Sequence, residues 1–176
     1  FDTTVGMGVD CRAWACGSCD NVKSSSGSIV SNTDGKHPFT YRGLENLWGD
    51  IWEWVDGACI QDFAAYIATN PNDYADDKFV EPYKKLAFTN PEANGYTKRM
   101  GFDTKNPYVS LPTVSSGGGT TTYFCDHYWQ NAGNRAPCVG GGWDNGAQCG
   151  LFAWLCHNAW SGASTYFGAR LSYKPL

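Results

Sequence analysis

Between Lys105 and Arg170 the chain carries only three charged side chains, Asp126, Arg135 and Asp144. A solvated face normally displays Lys and Glu, so a stretch this long must either supply most of a core or expose an uncharged, aromatic face. It is also rich in Asn, Ser, Thr and Gly. Each such polar group needs a hydrogen-bond partner once buried, which makes a pure core an awkward reading. Secondary structure is constrained in the same way. With 21 Gly, 8 Trp and 10 Tyr, and Lys and Glu sparse, the composition is poor for helices and good for short strands joined by turns. The 176 residues suffice for one domain with a real core. The chain therefore reads as a single α+β domain over 1–176, with short strands, few helices and much irregular loop.

Residues 1–40 read as extended segments and loops, with turns at "SSSGS" (24–28) and "NTDGKHP" (32–38). "YRGLENLWGDIWEWVDG" (41–57) is the most ordered-looking piece. Leu44, Leu47 and Trp48 suit one face of a short helical turn. After Gly49-Asp50, the alternation of Trp52, Trp54 and Asp56 with Ile51, Glu53 and Val55 suits a strand. "CIQDFAAYIA" (59–68) also alternates and is expected to pair with that strand, before a polar, acidic connection at 69–78. Short apolar runs over 81–113 are separated by Asn-Pro and Gly turns, and 115–122 is a flexible loop. "GLFAWLCHNAWSGASTYFGARL" (150–171) is aromatic and free of charge until Arg170, and its apolar residues fit neither a helical nor a strand period.

The formal charge of −4 disfavours a nucleic-acid partner. No apolar run is long enough to span a bilayer, so membrane insertion is not expected. The chain begins at Phe1 without Met or a signal peptide, and is read as the C-terminal fragment of a longer protein. The eight cysteines are Cys11, Cys16, Cys19, Cys59, Cys125, Cys138, Cys149 and Cys156. Cys16 and Cys19 form a C-x2-C, to which Cys11 and Cys59 could add thiolates for a structural zinc. No second C-x2-C completes the usual pattern, so free thiols or one local disulfide is preferred. Calcium could use Asn46, Asp50 or Asp56, but no regular calcium loop is present. No cofactor is expected. Cys156 and His157 are sequence neighbours, an arrangement rare in thiol catalysis, and nothing in the sequence brings His127 to Cys125 or Cys149. Glu45, Asp50, Glu53 and Asp56 read as solvated or turn-bonded carboxylates rather than a glycosidase pair. The glycines of "SSGGG" and "GGGWDNG" lack the phosphate-loop context and are expected to serve turns or close backbone approach.

Two blocks carry a resemblance. "GLENLWGDIWEWVDG" (43–57) resembles the Trp-rich block of formylglycine-generating-enzyme-like proteins, and "GGGWDNG" (140–146) with "GARL" (168–171) is similar to their closing motif. The resemblance implies a C-type-lectin-like fold. That enzyme's catalytic cysteines lie four positions apart, whereas Cys149 and Cys156 lie seven apart, and the neighbouring arginines are absent. A narrower match adds "GFDTKNP", "YFCDHYWQNAGNR" and "GGGWDNGAQCGLFAW". Together these resemble the variable proteins of diversity-generating retroelements, of the kind found in phages and gut bacteria. In those proteins a segment of the lectin-type domain is rewritten by adenine-targeted reverse transcription.

Against that family's pattern the framework is Trp143, Gly146, Gly150, Leu151, Phe152, Trp154, Asn158, Ser161, Gly168, Ala169, Arg170 and Leu171. The departures are Ala153, Leu155, His157, Ala159, Trp160, Gly162, Ser164, Thr165, Tyr166 and Phe167. Most are residues that randomised Asn codons can produce; Trp160 is not. The resemblance implies a diversified segment over about 134–167. Its ligand-binding residues are expected at Asn134, Ala136, Gly142, Ala153, Leu155, His157, Trp160, Gly162, Ser164, Thr165, Tyr166 and Phe167, with Pro137 and Cys138 as extensions. Phe152 and Trp154 are expected to point inward, and Ala153, Leu155 and His157 outward. The implied function is binding of a protein or glycan on a target cell surface, without catalysis, from a phage tail or a bacterial cell surface. The rivals are an oxidase using Cys149 and Cys156, and an invariant structural tail protein.

Overall fold

The computed structural model describes residues 40–41, 44–119, 121, 124 and 126–170. The expected turns at 24–28 and 32–38, Cys11, Cys16, Cys19, Cys125 and Leu171 lie outside these residues. Thirteen strands follow one another: β1 (Thr40–Tyr41), β2 (Leu44–Glu45), β3 (Trp52–Trp54), β4 (Ala58–Gln61), β5 (Ala64–Ile67), β6 (Lys84–Thr89), β7 (Gly95–Tyr96), β8 (Arg99–Asp103), β9 (Asn106–Val114), β10 (His127–Gln130), β11 (Asn134–Gly140), β12 (Gly150–Asn158) and β13 (Phe167–Gly168). The helical elements among the described residues are two 3-10 turns, Pro71–Asp73 and Gly146–Gln148. The architecture is thus strand-rich with much irregular loop, and the α part of the expected class is not found in the described chain.

The principal sheet runs β6-β5-β4-β11-β12-β10-β7, with β3 also paired to β11 and β13 paired to β3. β11 is its pivot. Asn134 and Arg135 stand opposite Gln61 and Ile60 of β4, whereas Cys138 and Val139 stand opposite Trp54 and Glu53 of β3. The change of partner falls at Pro137, which has no N–H to give to a ladder. The register against β12 shifts between Ala136 and Cys138, and the Pro137 carbonyl accepts the Val55 N–H at 3.1 Å.

Two local expectations are corrected. Leu44–Trp48 is not a helical turn: β2 pairs with β1, and Asn46 then takes a positive φ of 46°, which no right-handed helix accommodates. Residues 59–68 do not pair with the Trp52–Trp54 strand. They fold back on themselves as the β4–β5 hairpin, through Asp62 and Phe63 at φ 45° and 67°, a turn whose twist matches the flanking strands. β3 is already occupied by β11 and β13. The β8–β9 hairpin is tied to β6 by Asp103, whose carboxylate accepts the Lys105 N–H at 2.8 Å and the Ala87 N–H at 3.0 Å.

The core explains why 150–158 shows no clean period. On one side of β12, Cys156 is buried with Ile60, Ile67, Leu86, Leu111 and Tyr128, and Trp154 packs against them. On the other, Ala153 and Leu155 are buried with Trp52 and Cys138, flanked by Trp54, Trp129 and Phe167. A strand covered on both faces reads as a nearly continuous apolar run.

Gly150, at the head of β12, has no room for a Cβ: it would strike the carboxylate of Asp126, which is buried and accepts the Phe152 N–H at 2.7 Å. Gly150→Ala is expected to destabilise the domain by about 2–3 kcal/mol. Denaturant titration checks this, and an unchanged midpoint would show that the Asp126 contact does not anchor β12.

Candidate binding surface

After β12 the chain forms a surface loop whose two ends are fixed by the scaffold. The Gly162 N–H donates to the Ala159 carbonyl at 2.9 Å, the Phe167 N–H to the Ser164 carbonyl at 3.2 Å, and the Trp52 N–H to the Tyr166 carbonyl at 2.8 Å. At the entrance, Trp160 turns down onto the cluster of Cys59, Ala68 and Tyr83 and meets Phe79 edge-on at 6.3 Å. At the exit, the Phe167 ring lies 4.9 Å from Trp54, and Tyr166 stacks on Trp143 at 4.5 Å with 15° between planes. Ser161, Ala163, Ser164, Thr165 and Tyr166 between Trp160 and Phe167, and Ala159 just before them, are exposed.

Two further devices hold this surface. Arg170 pairs through Nε with the Glu53 carboxylate, and its Nη2 donates to the Asn46 carbonyl at 2.7 Å. Burial raises the pKa of Glu53, opposed by the hydrogen bond and charge of Arg170. The triple glycine forms the expected tight turn. Gly49 N–H reaches both the Gly140 and Gly141 carbonyls at 3.2 Å, and the Trp143 N–H reaches the Asp50 carbonyl at 3.0 Å. Gly141 has φ 92°, and a Cβ there would come within 2.6 Å of Cys149 Sγ. This turn presents Trp143 to Tyr166.

The expected ligand residues divide into three sets. Asn134, Ser164, Thr165 and Tyr166 are exposed, and His157, Trp160, Gly162 and Phe167 are half-buried. Ala136, Gly142, Ala153 and Leu155 are interior, with Ala153 at 0% and Leu155 at 5% exposure. The outward orientation expected for Ala153 and Leu155 is thereby corrected. Their side of β12 is covered by Trp52 and Cys138, while Phe152, expected to point inward, is exposed and meets Phe124 at 5.5 Å. Gly142 is enclosed because its backbone abuts the Trp52 indole. Pro137 and Cys138 are likewise fully buried, where β11 changes partner. Asn134 lies apart from the loop's anchors, bonded to Gln61 and Asp77.

Beside the loop opens a cleft of about 430 Å³. Trp54, Trp160 and Tyr74 give it aromatic walls, Ala136 contributes to a side, and Asp56 and Asp76 supply carboxylates. Tyr74 is seated on Gly57: at φ +74° this glycine lets the ring so close that a Cβ would stand 2.5 Å from it. Sequence reasoning missed Tyr74 and Asp76, because they belong to the polar connection 69–78. The only available signal was an aromatic residue within that polar run.

Thiol chemistry is poorly served here. Cys149 lies with Trp48, Cys156 with Ile60 and Tyr128, and Cys138 with Trp52, in three separate clusters. Burial pushes Cys149 and Cys156 up to about 12 and raises Cys138 as well, so the nucleophilic thiolate is scarce at neutral pH. The Cys149 thiol donates to the Gly142 carbonyl at 3.2 Å, and Cys59 is buried and not disulfide-bonded. Among the described residues no group of three or more His, Cys, Asp or Glu is placed to hold a metal ion. None of their helices is long and apolar enough to cross a membrane.

The anchors and the loop separate energetically. Phe167→Ala is expected to cost about 2 kcal/mol, because its ring packs on Trp54 and the Trp52 cluster; Tyr166→Ala is expected to cost under about 1 kcal/mol. Equal losses in a denaturant titration would contradict the division.

Burial lowers the pKa of His127, and burial with the nearby charge of Arg135 lowers that of His157. The unfolded chain therefore takes up protons first as pH falls below about 6.5. Stability present at pH 7 is expected to decline from there until the folded-state values are passed, and His127→Gln with His157→Gln should flatten the Tm profile. A profile unaltered by both substitutions would exclude these histidines as its source.

Compared with known proteins, the chain matches no family model and none of the curated proteins.

Proposed function

We propose that the chain is a ligand-binding domain of the retroelement variable-protein type, with the C-type-lectin-like fold of formylglycine-generating-enzyme relatives. Its C-terminal surface is diversified and serves recognition of a protein or glycan on a target cell, from a phage tail or a bacterial cell surface. The observation that carries this reading is the loop 159–166. It is exposed along most of its length, yet its ends are fixed by Trp160, Phe167 and the Trp52–Tyr166 backbone bond. The side chains at 159, 161 and 163–166 can change without touching the core, which is the property a diversified surface needs. Binding without catalysis accords with the separate burial of Cys138, Cys149 and Cys156, which counts against the oxidase reading.

The geometry also refines which positions vary freely. His157 and 159–166 face outward at least in part, whereas draws at 153 and 155 must fit between Trp52 and Cys138. Coding sequences from sibling genomes are expected to vary most at 157, 159, 161 and 163–166, and to keep Trp52, Trp54, Gly141, Trp160 and Arg170. A near-repeat of the segment should lie beside a reverse transcriptase gene. A segment fixed over 134–167 in all siblings would defeat the diversification reading and favour a structural protein with one partner. In the laboratory, a library of Asn-codon substitutions over 159, 161 and 163–166 is expected to leave most members folded, and the same library at 153 and 155 to leave few.

A further inference from the structure

The cleft between Trp54, Trp160 and Tyr74 has a definite chemical character. Three aromatic side chains form its walls, and Asp56 and Asp76 line it with carboxylates. Among the described residues no Lys, Arg or His lines it. Arg170, which follows the lining residue Ala169, is engaged by Glu53 and the Asn46 carbonyl. Asp56 and Asp76 are themselves exposed, so both can meet a ligand.

The walls are fixed by the fold. Trp54 is held against Phe167, Trp160 against Phe79, and Tyr74 on the bare backbone of Gly57. The segment behind Tyr74 is anchored too, since the Tyr83 hydroxyl accepts the Ala75 N–H and donates to the Ala75 carbonyl, both at 2.8 Å. Pre-placed rings with carboxylates beside them suit a cation. Aromatic faces attract positive charge through their quadrupole, and planar guanidinium groups stack on them while pairing with carboxylates. A neutral polyol would gain from the rings but would leave the two like charges unneutralised. A space of about 430 Å³ admits one long side chain.

We propose that this cleft binds a basic side chain, best an arginine, presented by a protein partner. The inference rests on the ligand-binding reading above but not on diversification of the segment. Within that reading, Trp160 gives the cleft a constant aromatic wall, and the adjoining loop would read the partner's surroundings.

The test uses N-acetyl-arginine methylamide as probe, its neutral isostere N-acetyl-citrulline methylamide, and methyl α-glucoside. Each is titrated into the whole chain while the indole N–H signals are followed by NMR, with Trp54 and Trp160 assigned by Trp→Phe substitution. The arginine probe is expected to shift the Trp54 and Trp160 signals and to bind less tightly as salt rises. Asp56→Asn and Asp76→Asn are each expected to weaken it about two- to five-fold, and Trp160→Ala about five-fold. The two aspartates are exposed, so their variants keep the test valid even where Trp160→Ala does not fold. Equal binding of the citrulline probe or the glucoside would overturn the proposal, as would no shift with the arginine probe up to about 50 mM. If the arginine probe fails while Thr165 or Tyr166 variants alter binding to a target cell, this inference falls and the proposed function stands. If the probe binds but 134–167 proves invariant, the cleft stands and diversification falls.

Discussion

Pro137 interrupts the ladder in the middle of the most connected strand, and much of the architecture follows from how the chain absorbs that interruption. A residue without an N–H cannot serve a continuous central strand. β11 therefore gives its first residues to β4 and its later ones to β3, with the register slip against β12 at the same point. The divergence of β4 from β3 leaves Val55–Ala58 as a segment joining them, and those residues line the aromatic cleft. The carbonyl of Pro137 is not lost, because it accepts the Val55 N–H. One imino acid thus fixes where the sheet splits and where the cleft opens.

The outer loop depends on the same split. β3 is free to accept β13 in parallel because β11 occupies its other edge only over Cys138 and Val139. That pairing returns the chain to the sheet after residues 159–166, and places Phe167 on Trp54. The Arg170–Glu53 pair and the Arg170–Asn46 bond then secure the same region from beyond the loop. Their contribution is positional as much as energetic, since a partly exposed ion pair adds little to stability on its own.

Several of these features are legible in the amino acids. The alternation of Trp52 and Trp54 gives a strand, the glycines at 140–142 give a tight turn, and scarce Lys and Glu with abundant Gly and Trp give short strands and loops. The facing of β12 is not legible, because alternation carries information only when one face of a strand is wet. With Cys156 buried and Trp154 packed beside it on one side, and Ala153 and Leu155 buried on the other, period 2 leaves no contrast. Partner choice was equally hidden: nothing local tells 59–68 that β3 is already paired on both edges. The loop 159–166 was read as surface from the match to a family pattern. The cleft beside it joins residues 86 positions apart, Tyr74 with Trp160, and emerges only once the chain is folded.

Under the proposed binding role, the anchoring of the loop at Trp160 and Phe167 also bears on the thermodynamics of recognition. A flexible loop must be ordered when a partner arrives, and that conformational entropy is subtracted from whatever the contacts supply. Here closure is set by the scaffold before any encounter, through rings and backbone bonds whose chemistry does not depend on the exposed side chains between them. Exchanging Ser164 or Thr165 then alters the contact energy while leaving the closure entropy nearly constant. Affinity in such a surface becomes close to a sum over side chains, so that a favourable substitution at one position keeps its value when its neighbours change.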